Sequence, residues 1–275
     1  MSLMEDSRIV EGLAPEQSAG TLSLMPIKRF LRDPFKRFLF EVGAGYYARK
    51  LATGPEADIR REFVASLALP PAHLNSHLQI LDVGCGPGHV ARSLAESGYN
   101  VTGVDRSHSL LRIARRLASR LASPGRIEFH HSSTDRLPFD NASFDVTYAT
   151  GVIYWVEHLA ETLREIVRVT SPGGVVAFLD PHSSMSIANA RAYSERHGLS
   201  RRDTRKMTAW ATSARFNRRF EESELRRALV AAGLEQIELE LRLDGMVWFT
   251  RARTPAMMAV AQLPLETALD TQLAS

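Results

Sequence analysis

Cysteine is nearly absent: Cys85 is the only one in 275 residues. No disulfide can form within the chain, and a reducing, cytoplasmic compartment is the simple expectation. Charge of one sign is also scarce. Lys and Arg number 34 against 31 Asp and Glu, a net +3, too small to announce a polyanionic partner. Long apolar runs are missing. The longest uncharged stretch, 65–81, holds two prolines, two histidines and an asparagine, which excludes a membrane span there. No apolar segment accompanies the acidic Glu5-Asp6 start, so no secretory signal is expected. There is no H-E-x-x-H and no cysteine cluster. The adjacent His130-His131 would face opposite sides of a strand, so a metal is not expected.

What is present is an ordinary soluble composition, 44% apolar and 24% charged, enough for a full core. The length suits one large domain, or one domain with a cap. Residues 1–25 show no periodicity and read as loose. From 26 to 51 the chain is basic and aromatic. Phe30, Leu31, Phe35, Phe38 and Leu39 recur at helical spacing, and Pro34 should kink that helix. A second helix is expected over 55–69, before Pro70-Pro71.

An alternation then begins. Strands are expected at 79–83, 100–105, 126–130, 144–150 and 174–180, with helices at 87–97, 107–122 and 158–169 between them. Strands separated by helices imply right-handed crossovers and a parallel sheet covered on both faces. After a helix ending at Gly233, two strand-like runs flank Asp244-Gly245, a hairpin signal that finishes the sheet with an antiparallel pair. An insertion rich in Arg and Ser occupies 181–220.

The densest signal is "ILDVGCGPGHV", residues 80–90. Glycines between a strand and a helix let the backbone approach a ligand at a helix N-terminus. The dinucleotide fingerprint G-x-G-x-x-G/A, counted from Gly84, would need a small residue at position 89. His89 stands there. The spacing is Gly84-x-Gly86-x-Gly88, with Asp82 ahead of it. Asp105, seventeen residues after Gly88, ends the second strand, where a carboxylate accepts both hydroxyls of a ribose. The other reading of Asp105 is an acid before the next helix.

Residues 79–182 resemble the class I methyltransferases that use S-adenosylmethionine (SAM), especially the small-molecule branch typified by ubiquinone and menaquinone methyltransferases. The resemblance rests on "ILDVGCGPGHVARSLAESGYNVTGVDRS", "DRLPFDNASFDVTYA" and "EIVRVTSPGGVVAFLD". It implies an α/β, Rossmann-like, seven-stranded mostly parallel sheet with helices on both faces, an antiparallel last strand and a helical cap. It divides the chain into an N-terminal extension with lid helices (1–75), a core (76–253) and a tail (254–275).

It also implies site residues. Asp82, Gly84, Cys85, Gly86 and Gly88 would cradle the methionine part of SAM. Asp105 would take the ribose and Arg106 would lie beside the adenine. Ser133 and Thr134 fall where the family usually has Asp-Ala; the Thr134 amide would meet the base, and Asp135 is the substitute acid at hand. Ala149 and Thr150 would pass near the methionine.

Methyl transfer is an in-line displacement that needs alignment and exclusion of water. A general base is needed only when the nucleophile arrives protonated. Tyr154 and Trp155 stand where relatives often carry two histidines. Tyr154 would orient a substrate or meet the sulfonium through its ring, or else pack a helix start. His182, after the fifth strand, is the general-base candidate, or a surface histidine; His158 reads as preceding its helix. Tyr46, Tyr47 and Arg49 would hold the SAM carboxylate, or simply pack.

The cap segments should form the acceptor pocket. Residues 200–219 hold seven Lys and Arg and one acid, interleaved with Trp210 and Phe216. They read either as a contact for an anionic substrate or as a solvated helix. The basic stretch 28–37 reads as the inner face of a lid or as a membrane-surface helix. A small-molecule acceptor is the expectation, with nucleic acid disfavoured. The alternatives are another use of SAM, by cyclisation or aminocarboxypropyl chemistry, or an RNA methyltransferase.

Overall fold

The computed structural model describes residues 41–256 except 76, 123 and 124. The loose start, the Pro34-kinked helix with Phe30, Phe35 and Phe38, and the tail beyond 256 lie outside the described residues.

Two helices precede the sheet, α1 (Ala44–Leu51) and α2 (Pro55–Ser66). Pro55 opens α2 with Glu56 and Asp58 in its first turn. A preset φ and acids near the helix N-terminus favour a start there. There follow β1 (Gln79–Val83), α3 (His89–Glu96), β2 (Asn100–Asp105), α4 (His108–Ala118), β3 (Ile127–His131), β4 (Phe144–Thr150), α5 (Leu159–Val169) and β5 (Thr170–Pro181). The chain continues with α6 (Ile187–Arg196), α7 (Arg201–Arg215), α8 (Glu222–Ala231), β6 (Glu235–Arg242) and β7 (Val247–Arg253).

The seven strands form one sheet in the order β3-β2-β1-β4-β5-β7-β6. The first five are parallel, and β7 is antiparallel to both β5 and β6. This is the Rossmann-like α/β sheet with an antiparallel last strand. β7 stands one place in from the edge, and β6 is outermost. Side chains account for that order. Val247, Trp248, Phe249 and Thr250 are all buried, as an interior strand requires. β6 carries exposed Glu235, Gln236, Glu238 and Glu240, charges that suit a free edge. The turn between them places Leu243, Asp244 and Gly245 at φ +56°, +52° and +82°, so Leu243 joins the Asp-Gly pair in the left-handed region.

Ile80, Leu81 and Val83 of β1 are fully buried, so the central strand is apolar on both faces. The insertion contains α6 and α7, capped by Ser186 and Ser200. α7 buries Met207, Trp210, Ala211 and Ala214 and leaves Arg201, Arg202 and Arg205 exposed. The aromatic and basic residues of this segment therefore part: Trp210 is core, and Phe216 remains 53% exposed. Lys206 Nζ donates to the Thr53 carbonyl at 2.7 Å, fastening α7 to the α1–α2 connection. No helix among the described residues is long and apolar enough to cross a membrane.

Phe63 pins α2 to the sheet. Its ring is 1% exposed and meets Phe249 edge-on at 5.4 Å and Tyr148 at 6.3 Å. Phe63→Ala is expected to cost about 3–5 kcal/mol, the range for emptying a buried phenyl site. Denaturant titration of the purified variant checks this.

Candidate functional site

At the carboxyl ends of β1, β2 and β4 lies a cavity of about 300 Å³, where open α/β sheets bind ligands. The 84–88 loop forms one wall. Gly84 and Gly86 adopt φ +68° and +53°, positions that strain any other residue. A Cβ on Gly84 would stand 2.5 Å from Val152 Cγ2, so the glycine allows the β1 and β4 loops to touch. A Cβ on Gly86 would meet nothing within 4 Å; it would intrude into the open cavity. The Cys85 amide donates to the Val104 carbonyl at 2.9 Å, and the buried thiol is pushed up by burial. Gly88 is the left-handed cap of α3.

Asp105 holds the loop from the tip of β2. Its Oδ2 accepts the Gly86 amide at 2.8 Å, and its Oδ1 accepts the Ser107 amide at 2.8 Å. Each carboxylate oxygen keeps a further acceptor site, and the residue lines the cavity. Burial raises its carboxyl pKa. Asp82 lies beneath the loop, 1% exposed, with Oδ1 unpartnered among the described residues. Burial, with the Asp105 charge nearby, pushes its carboxyl up to about 8.

The opposite wall is the 151–158 segment after β4. Asp180, 1% exposed on β5, accepts the Tyr154 amide at 3.2 Å. Burial drives its carboxyl well above the usual range, opposed by amides of the same turn. At one end, Ser133 donates to Asp135, and the Thr134 and Thr162 hydroxyls meet at 3.0 Å. At the other end stand Tyr47, Leu51 and Arg60 from the two leading helices. His89 Nε2 contacts the Ala48 carbonyl at 2.9 Å, tying α1 to the start of α3. Burial raises the Tyr47 phenol to about 12.

Most of the expected ligand residues converge on this cavity: Gly84, Cys85, Gly86, Asp105, Arg106, Ser133, Thr134, Asp135, Thr150 and Tyr47 line it. The others stand apart from its lining. Asp82 is under the loop and Gly88 caps a helix. Tyr46 is 68% exposed, and Arg49 lies exposed over Gly45. Tyr154 is buried behind the wall, 6% exposed.

His182 lies outside the lining as well. Its Nδ1 meets Ser184 Oγ at 2.8 Å, and Ser183 Oγ (3.4 Å) and Glu221 Oε2 (3.7 Å) both approach Nε2. The Ser184 hydroxyl on Nδ1 donates to the Gly245 carbonyl at 2.6 Å, and Ser183 and Glu221 share Nε2, so the imidazole is held in a local network away from the cavity. Among the described residues no three His, Cys, Asp or Glu side chains form a metal-holding group. Trp155, noted beside Tyr154, does line the wall; polar lining residues not assigned to the site from the sequence include Arg60, His89, Glu157 and His158.

A sequence model described as a methyltransferase domain matches residues 81–178. The chain carries a class I SAM-dependent methyltransferase domain. A malonyl-[acyl-carrier protein] O-methyltransferase of Pectobacterium atrosepticum is 29% identical over 197 residues, 72% of this chain and 75% of that protein. A demethylmenaquinone methyltransferase of Leptospira interrogans is 34% identical over 111 residues, covering 39% of this chain and 45% of that protein. Several other curated relatives are matched over half their length or less. In structure, the chain resembles phosphoethanolamine N-methyltransferase 2 of Haemonchus contortus in complex with SAM. That TM-score is 0.58 at 16% identity, over 80% of this chain and 60% of that one.

The cavity fits SAM. A missing Cβ at Gly86 opens the wall, a carboxylate with spare acceptor sites stands beside it, and a buried guanidinium marks the far end.

Two outcomes follow. Gly86→Ala should lower stability by only about 1–2 kcal/mol, the strain of a left-handed alanine. Its affinity for S-adenosylhomocysteine should fall by about tenfold or more; melting curves and calorimetry on one sample read both. Asp82 sets a pH dependence. Its carboxyl stays protonated in the folded protein up to about 8, while the unfolded carboxyl ionises near pH 4. Folding stability from this group is therefore lost as pH rises between those values and is level above them. Asp82→Asn should gain stability relative to wild type from pH 5 to pH 8, read from denaturant midpoints at pH 5, 7 and 9.

Proposed function

We propose that the enzyme transfers the methyl group of SAM to a small, anionic acceptor admitted beside the 155–158 wall. The observation that carries this is the convergence of the glycine loop, Asp105 and the 133–135 turn on one cavity. Bound SAM supplies a sulfonium-activated methyl group.

Asp105 would bind ribose hydroxyls through the acceptor sites left free by its two amide bonds. Arg106, Thr134 and Asp135 would border the base. The 84–86 backbone and Thr150 would flank the methionyl chain. Leu51, Val152, Trp155 and Val156 supply apolar surface that excludes water, which strengthens every charge interaction inside. No proton need move if the acceptor is already an anion. A cytoplasmic setting fits the single buried cysteine.

Two features favour an anionic acceptor. The P. atrosepticum relative is named for malonyl-[acyl-carrier protein], which presents a carboxylate. The exposed arginines of α7 lie on the segment joined to the 151–158 wall, where the Arg218 amide donates to the Tyr154 carbonyl at 3.2 Å.

The test uses SAM, with and without a cell extract, and identifies the sulfur product by mass spectrometry. S-adenosylhomocysteine formed only with extract is the expected result, with a rate that falls as salt rises. Methylthioadenosine formed without any acceptor would overturn methyl transfer in favour of chemistry on the aminocarboxypropyl chain.

A further inference from the structure

One end of the sheet carries charge that the rest of the chain lacks. Residues 106–127 hold six arginines and no Asp or Glu. Of the 34 Lys and Arg in the chain, that leaves 28 elsewhere against all 31 Asp and Glu, so the small net charge hides a segregation.

Most of these arginines stand on α4 and the turn that follows it. Arg112, Arg116 and Arg120 recur every four residues, with Arg115 beside them, and all four are exposed. Arg115 donates to the Phe129 carbonyl at 2.8 Å, and Arg112 to Ser109 Oγ at 3.1 Å. Among the described residues, none of the four has a carboxylate at ion-pair distance, whereas Arg126 pairs with Glu128 at 3.0 Å. Like charges one helical turn apart repel. The helix dipole favours cations in the last turn, where Arg115 and Arg116 stand, but Arg112 lies ahead of it.

α1 packs beside α4 and extends the face. Val42, Tyr46 and Arg49 follow at intervals of four and three residues, which puts them on one side. All three are exposed, Val42 by 71% and Tyr46 by 68%. The neighbouring acid Glu41 is occupied, since its Oε2 accepts the Ser109 amide at 3.1 Å. Glu41 is also where the basic stretch 26–40 joins the described chain, so that stretch enters at the start of α4.

The chemistry of the face selects its partner. A protein partner calls for an apolar centre that becomes buried, and the arginine row has none. A single-stranded nucleic acid calls for several aromatic faces to stack bases, and α4 carries no Phe, Tyr or Trp. A bilayer with anionic headgroups needs only spread positive charge and an interfacial side chain such as tyrosine.

We propose that the α4 arginines and the exposed side of α1 form a docking surface for an anionic phospholipid bilayer. Ser107 and Leu110, at the start of α4, line the cavity, so docking holds the site close to the bilayer. The surface stands apart from whatever the cavity binds.

The experiment is co-sedimentation of the full chain with vesicles of phosphatidylcholine alone or mixed with phosphatidylglycerol. Wild type should pellet with the mixed vesicles and not with phosphatidylcholine alone, and the binding should fade as salt rises from about 0.05 to about 0.5 M. The triple variant Arg112→Glu, Arg116→Glu, Arg120→Glu should lose about 100-fold in partitioning, from roughly fivefold per arginine near a charged bilayer. Its circular dichroism spectrum should match wild type, which shows that it is folded. The triple Gln variant at the same positions should show a smaller loss with no new charge. Reversing Arg201, Arg202 and Arg205 on α7 to Glu changes net charge equally and should leave partitioning within about threefold, since those charges stand beyond the screening length. Wild type that ignores the mixed vesicles overturns the proposal, as does equal pelleting of wild type and the α4 variant. Binding of a uridine oligonucleotide without vesicle binding assigns the face to nucleic acid and likewise overturns it.

Discussion

One carboxylate stands where the two halves of the site meet. Asp105 closes the end of β2 by accepting two backbone amides, one from its own turn into α4 and one from the glycine loop nineteen residues earlier. Those bonds give the 84–88 loop its shape, because a loop of glycines has no side chains to hold it. Gly103, two residues before Asp105, completes the arrangement: a Cβ there would press to 2.9 Å on Cys85 Sγ and 2.7 Å on Phe129. The cavity exists because a strand tip, a loop and a helix start are tied to a single half-buried acid.

Asp180 repeats the device on the other wall. It sits under the turn that follows β4 and accepts the Tyr154 amide, while Gly151 donates to the Leu179 carbonyl at 2.6 Å. Both walls therefore depend on acids whose charge the interior resists. Such groups are high-stakes. Satisfied by amides they make a loop rigid; half satisfied they are costly. Arg106 is the cation beside Asp105, and Arg60, which arrives from outside the sheet on α2, is the one beside Asp180. The packing of Phe63 against Tyr148 and Phe249 fixes that helix, so an aromatic contact outside the cavity governs where its positive charge stands.

The sheet was legible because its signals are local. Apolar runs such as Ile80-Leu81, glycines at strand ends and the Asp-Gly turn state their roles within a few residues. The glycine loop and Asp105 carried both shape and ligand class. What escaped detection depends on distance. Arg60 reads as one charge in "DIRREF", and Glu56 before it looks like an ordinary surface pair at i,i+4. Nothing local says that both are buried. Arg49 and Tyr46 were attractive for the same reason, since helix exposure is settled by the sheet beneath, not by the residue. Trp210 looked like part of a basic aromatic face and turned out to be core, because the 3.6-residue period of α7 separates it from its arginine neighbours. Asp135 shows a middle case: it lies two positions from where the family pattern puts its acid, yet reaches the same turn through Ser133.

The position of β7 also bears on the order in which the chain is built. β6 pairs with β7 alone, and β5 has β7 as its second neighbour. During synthesis the five parallel strands, the glycine loop and both wall acids emerge first and can assemble as a unit. β6 emerges next but has no strand to join. The sheet can be complete only once residue 253 has left the ribosome and β7 can pair with both β5 and β6. A nascent chain stalled just short of that point would present two unpaired strand borders at once, and so would depend on a chaperone at that stage.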